Sequence, residues 1–196
     1  MTMGLKANAD GSGAIQVGGS DAITITSGLV VSMNGGTPYP IVSGTVTPSS
    51  GTALTYTSIP SWVKRITLMI ASLQTSSTGV PIVQLSAAST FKTTGYFNAA
   101  GVTAASSAGA SNFTTGFGLS NSSWSSAIVI HGTVTFNLLN SSTNLWAVSG
   151  ILGRSDSTIV SYTGGSVTLA GTLDGIRLYI DGTQTFTAGS INILYE

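Results

Sequence analysis

Apolar residues recur at every second position through much of the chain, which is the period of a strand with one buried face. In residues 126–136, Ile128, Ile130, Val134 and Phe136 fall on one side, and Val129, His131, Thr133 and Thr135 on the other. In 65–71, Ile66, Leu68 and Ile70 share a face, and in 176–181 Ile176, Leu178 and Ile180 alternate with Arg177, Tyr179 and Asp181. Residues 166–170 and 189–195 follow the same rule. Thr, Val, Ile and aromatics fill these runs, and Gly and Ser punctuate them. The pairs Asp174-Gly175 and Asp181-Gly182 read as turns. Helix signals are scarce: Glu occurs once, at Glu196, and Lys three times. The pattern predicts an all-β chain of short antiparallel strands, an antiparallel β-sandwich or jelly roll rather than a parallel sheet.

Two regions depart from this rhythm. Residues 1–50 hold GSGAIQVGGS, an ITITSG strand and MNGGTPYP, with few large apolar residues. They read as an N-terminal extended arm that docks on a partner or on sister subunits, ahead of a sandwich domain over 51–196. Residues 99–123 (AAGVTAASSAGASNFTTGFGLSNSS) read as long surface loops around a short strand near 113–117.

Charge changes the picture most. The chain has 196 residues, 6 Lys+Arg, 6 Asp+Glu and 1 His, and a formal net charge of zero. Charged residues make up 6 %, against about 25 % in an average soluble protein. No basic field exists for nucleic acid or for an anionic membrane surface, so neither is expected as a partner. Yet 42 % of residues are hydrophobic and the mean hydropathy is +0.40, which argues against disorder. The surface must therefore be built from Ser, Thr, Asn and Gly. Neutral hydroxyls and amides cost less to desolvate than ions, so such a surface suits close association with other copies. There is no Cys, which removes disulfides and thiolate metal sites. The apolar run 66–73 is far short of a spanning helix, and MTMGLKANADG lacks the apolar stretch of a secretory signal. An extracellular-looking chain without an export signal fits a particle assembled inside a host and released by lysis.

Candidate chemistry is sparse. Asp156, Asp174 and Asp181 are the acids of the main domain ahead of Glu196, and the two that precede Gly read as turn residues. His131 is the single histidine and sits mid-strand without the G-x-S-x-G elbow of a triad or a companion metal ligand. No G-x-x-x-x-G-K-[ST] loop occurs. No catalytic residue, metal or cofactor is therefore assigned. One binding hypothesis remains. Tyr96, Phe97, Phe113, Phe117 and Trp124 lie in or beside the loop-rich stretch, close in sequence to Asn98, Asn112 and Asn121. Aromatic faces beside neutral amides can hold sugar rings, and the alternative is that these aromatics belong to a core or an interface.

A resemblance adds to this reading. IPSWVKRI (59–66), followed by a strand TLMIASLQ and a turn TSSTG, resembles the opening of a β-sandwich domain of phage and prophage tail-fibre and virion proteins. Val83-Gln84-Leu85, Gly95-Tyr96, Thr115-Gly116-Phe117, then Gly132, Phe136 and Trp146 follow in the order of that family. GGSVTLAGTLDGIRLYIDGTQTFTAGSINILYE (164–196) is similar to its close. The likeness covers 54–196, and order rather than any single motif carries it. It implies a non-enzymatic, often trimeric fibre domain. Family members commonly end a long fibre, whereas this chain is short, so capsid decoration or a head fibre fits as well as a tail fibre. The expectation is a bacteriophage virion structural protein on the tail or capsid surface that contributes to host attachment. Its expected partners are its own copies, as trimers by the family's habit, other virion proteins through the arm, and host-surface glycan. A lectin-like module, a polysaccharide-cutting enzyme and a biofilm protein are the rival readings.

Overall fold

The computed structural model describes residues 3–7, 13–17, 20–25, 31–33, 42–45, 47–48, 50–121 and 123–196. Among them every regular element is a β-strand and no helix occurs. The chain forms two compact units, Met1–Pro40 and Ile41–Glu196.

In the first unit, β1 (Met3–Ala7), β2 (Gly13–Val17), β3 (Ser20–Ile25) and β4 (Val31–Met33) form one antiparallel sheet in chain order. This differs from the extended arm expected from composition. Met3 and Leu5, Ile15 and Val17, Ile23 and Ile25, and Val31 and Met33 recur at every second position of these strands, the period of paired β-structure. Residues 34–41, with most of MNGGTPYP, lie outside the described residues.

The second unit contains β5 (Val42–Ser43), β6 (Thr47–Pro48), β7 (Ala53–Thr57), β8 (Arg65–Thr75), β9 (Pro81–Ala87), β10 (Thr90–Phe91) and β11 (Tyr96–Ala104). It continues with β12 (Ala108–Phe113), β13 (Phe117–Gly118), β14 (Ile130–Asn140), β15 (Leu145–Arg154), β16 (Ile159–Thr168), β17 (Leu173–Ile180) and β18 (Phe186–Tyr195). They form an antiparallel β-sandwich. The larger sheet runs β12-β11-β16-β15-β14-β8-β18-β5, with β6 also on β18. The smaller runs β10-β9-β17-β7, with β13 beside β10 on β9.

The core lies between the sheets. The larger contributes Ile66, Leu68, Ile70, Val134, Phe136, Trp146 and Val148, and the smaller contributes Leu54, Val83, Leu85, Ile176 and Leu178, all buried. Of these, Ile66, Leu68, Ile70, Val134, Phe136, Ile176 and Leu178 are residues that the alternation placed on one face. Phe117 joins the layers: its ring meets Tyr96 edge-on at 4.8 Å and Phe136 at 5.8 Å.

Three expectations need correction. The sandwich begins before residue 51, because β5 and β6 pair with β18. The Tyr56 hydroxyl, within 2.9 Å of the Thr45 carbonyl and 2.8 Å of the Ile191 carbonyl, ties that segment down. Residues 99–123 are not mainly loop: β11 and β12 form a hairpin that extends the larger sheet beyond β16. Their small residues suffice because Asn98 does the bridging. It donates to Thr163 Oγ1 (2.8 Å) and the Gly164 carbonyl (3.0 Å) and accepts from the Gly118 amide (2.8 Å). Lastly, Asp174-Gly175 is not a turn. Both residues lie in β17, at a register shift against β9. Asp181-Gly182 does leave the strand, with Gly182 at φ 92°.

Candidate functional site

The five aromatics singled out for sugar binding separate into two groups. Tyr96, Phe117 and Trp124 are core residues. The Tyr96 hydroxyl accepts from the Leu85 amide (3.1 Å) and lies 3.1 Å from the Lys92 carbonyl. Burial pushes its pKa up to about 12. Phe97 is 78 % exposed, and Phe113 is half-buried, its ring lying against Gly118. An open groove of about 370 Å³ is lined by Tyr96, Phe97 and Phe113 together with Asn98 and Asn112. Asn98 is consumed by its structural bonds, which leaves Phe97, Phe113 and Asn112 as the accessible remainder. Trp124 lines a separate small cleft with Ser120 and Arg154.

The acids are dispersed. Asp156 pairs with Arg154 (2.5 Å) and accepts from the Val129 amide (3.1 Å). The Arg154 bond holds its carboxyl down at about 2. Glu196 pairs with Arg65. His131 accepts from the Ser72 amide at Nδ1 (3.2 Å), so the neutral ring carries its proton on Nε2, 3.2 Å from Ser155 Oγ. In that tautomer the ring donates to Ser155 and cannot draw a proton from it. The histidine buttresses Ser72, a residue at φ 52° where β8 shifts register against β14 and β18.

The outer face of the larger sheet is its most distinctive surface. Register places Thr67 and Met69 of β8 beside Thr133 and Thr135 of β14, then Ser149 and Ile151 of β15. Gly164 and Tyr162 of β16 and Ala99 and Gly101 of β11 follow, with Ala110 and Asn112 of β12 at the edge. Between Arg65 at one end and His131 at the other, these strands present no Asp, Glu, Lys or Arg outward. They do expose Ile151 (67 %), Val160 (45 %) and Tyr162 (43 %). The Tyr162 ring covers Gly101, where a Cβ would come within 2.6 Å of it. Sequence reasoning noticed the shortage of ions but could not tell which face would lack them.

The outer side of the smaller sheet is the opposite. Arg177 donates to Gln84 Oε1 through Nε (2.9 Å) and Nη2 (2.5 Å), and Gln84 Nε2 donates to the Thr115 carbonyl (2.6 Å). The guanidinium lies 4.4 Å from the Phe91 ring centre and 5.2 Å from that of Tyr179. Asp174 accepts from Ser86 Oγ (2.5 Å) and the Ser89 amide (2.6 Å).

Among the described residues no three His, Cys, Asp or Glu side chains gather as a metal site. No family model, curated protein or solved structure matches the chain.

Proposed function

We propose that this chain is a structural subunit of a bacteriophage particle, a tail-fibre or similar surface appendage that contributes to host attachment and works as a homo-oligomer. One observation carries the reading: the ion-free outer face of the larger sheet. Six strands from β8 to β12, spaced about 4.8 Å and contributing about seven residues of about 3.4 Å each, present on the order of 700 Å². That approaches the roughly 800 Å² that each partner buries in a stable interface. A face without ions has no charge to desolvate, so copies of the same chain are its natural complement. The order of motifs from Ile59 to Glu196 resembles phage fibre domains and supports the viral setting. In this account the first unit docks on a neighbouring virion protein, and copy number turns weak outer contacts into avidity.

Gold-labelled antibody against the chain, applied to purified particles from lysates that contain it, tests the setting. Label fixed to projecting appendages is the expected result. Label confined to the soluble fraction, with bare particles, overturns it.

A further inference from the structure

Three chain segments that are remote in sequence meet at one rim of the smaller sheet. Thr57 ends β7 and Ser58 follows it, the Ala88-Ser89 turn joins β9 to β10, and Asp174 sits at the register shift of β17. With Ser86 and Phe91 they enclose a groove of about 350 Å³, within the range of about 300–1,000 Å³ typical of small-molecule sites.

The backbone around this groove is unusual. Among the described residues five non-glycine residues have positive φ, and three of them are here: Ser58 (60°), Ala88 (50°) and Ser89 (57°). Ala88 and Ser89 form a two-residue hairpin loop, a setting that favours Asn-Gly or Gly-Gly. Ala and Ser there carry a steric cost that Gly would avoid. The turn is held by the Asp174 carboxylate, which takes the Ser89 amide on one oxygen and the Ser86 hydroxyl on the other. Strain maintained by a dedicated clamp at the mouth of a groove points to a purpose for the geometry.

The lining defines a ligand. Asp174 has lone pairs to spare for hydroxyl hydrogens, since each oxygen takes a single bond within the protein. Among the described residues the hydroxyls of Thr57, Ser58 and Ser89 have no side-chain partner. The Phe91 ring borders the groove with Arg177 already stacked on it, and the guanidinium is engaged by Gln84. No cation lines the groove, which disfavours phosphate, sulfate or a sialic acid carboxylate. Clustered hydroxyls, one acceptor-only carboxylate and one ring match the alternating hydroxyl and C–H surfaces of a pyranose.

We propose that this groove binds a neutral hexopyranose unit of a surface glycan, with Asp174, Ser58 and Ser89 bonding its hydroxyls and Phe91 packing on its ring. The inference rests on the attachment reading for its biological setting, while its chemistry stands on the groove alone.

Saturation-transfer NMR on the full chain tests it, with methyl glycosides of glucose, galactose and mannose and with sialic acid as the anionic comparison. Transfer to at least one neutral glycoside is expected. Thr57→Trp, which fills the groove from an exposed strand position, is expected to reduce that transfer at least tenfold. Phe91→Leu, which keeps apolar bulk but removes the ring, is expected to reduce it several-fold and decides the matter if the first variant does not fold. No transfer to any neutral glycoside, transfer to sialic acid alone, or signals unchanged in the folded variants would each overturn the proposal. Light scattering on the same samples separates the two ideas: assembled protein that binds no sugar removes the groove, and sugar-binding monomer removes the oligomer.

Discussion

The two outer faces of the sandwich are built on different chemistry. The larger sheet turns outward Thr, Ser, Ala and Gly together with Ile151, Val160 and Tyr162, and no charge between its ends. The smaller turns outward Arg177, Gln84, Tyr179 and Asp174, fastened to one another or to neighbouring turns. In a chain with only twelve acidic and basic residues, their placement is informative. Under the proposed reading, the ions stand where the surface stays wet, and they are absent where it would meet a like surface.

The largest expected effect comes from breaking that difference. Ile151→Asp combined with Tyr162→Asp places two charges on the neutral face and should weaken self-association at least a hundredfold, read by sedimentation. Thr55→Asp, on the exposed outer side of the smaller sheet, should leave the sedimentation coefficient unchanged. An equal loss in both would erase the distinction between the faces.

Next in size is Gln84→Leu. It strips Arg177 of both its hydrogen bonds and the Thr115 carbonyl of its donor. Bonds to a charged group at a part-buried site imply a loss of about 2 kcal/mol. Thr135→Val on the neutral face should stay within about 0.5 kcal/mol. Urea midpoints with unchanged slopes check both.

Tyr96→Phe should cost about 1 kcal/mol, because the buried Leu85 amide loses its acceptor. The same residue predicts alkaline weakening. Its folded pKa of about 12 exceeds the ordinary 10.0, so the unfolded chain loses the phenolic proton first. Its contribution is full below pH 10 and declines as pH rises toward 12. The variant should show a shallower alkaline decline than the parent in pH-dependent urea unfolding.

The smallest effect is at Asp156. Its folded pKa of about 2 lies below the ordinary 3.8, so stabilisation is present above pH 4 and is lost as pH falls through 2. Being near the surface, the Arg154 pair should affect the local 155–158 connection more than global stability. Faster amide exchange at Val129 in Asp156→Asn than in the parent is the expected sign.

Much of the fold was legible because one face of each long strand is buried. Ile66, Leu68 and Ile70, then Ile128 to Phe136, then Ile176, Leu178 and Ile180 announced their faces through alternation. β11 and β12 were hidden for a physical reason. Their inward positions include Asn98, Ala100 and Ser111, with Asn98 accepting from the Gly118 amide of β13. Polar and small, they carry the composition of a loop. Asp174 was misleading because Asp-Gly suits a turn as well as it suits a strand irregularity, and only the partners Ser86 and Ser89, more than 80 residues away, decide between them. The burial of the five candidate aromatics was not legible in the sequence. Sequence proximity grouped them, but whether a ring faces inward or outward depends on strand register, and Tyr96 and Phe97, adjacent in sequence, point to opposite sides. The neutral face could not be read at all, since it gathers alternate residues from six strands.

The most direct test of the central claim is the mass of the unaltered full chain by light scattering at micromolar concentration, at low salt and at about 1 M salt, where the Debye length falls to about 3 Å. Association through a face without ions predicts a particle of several chains, three by the fibre reading, with the same mass in both conditions. A single 19.7 kDa species, or an assembly that dissolves as salt rises, would contradict it.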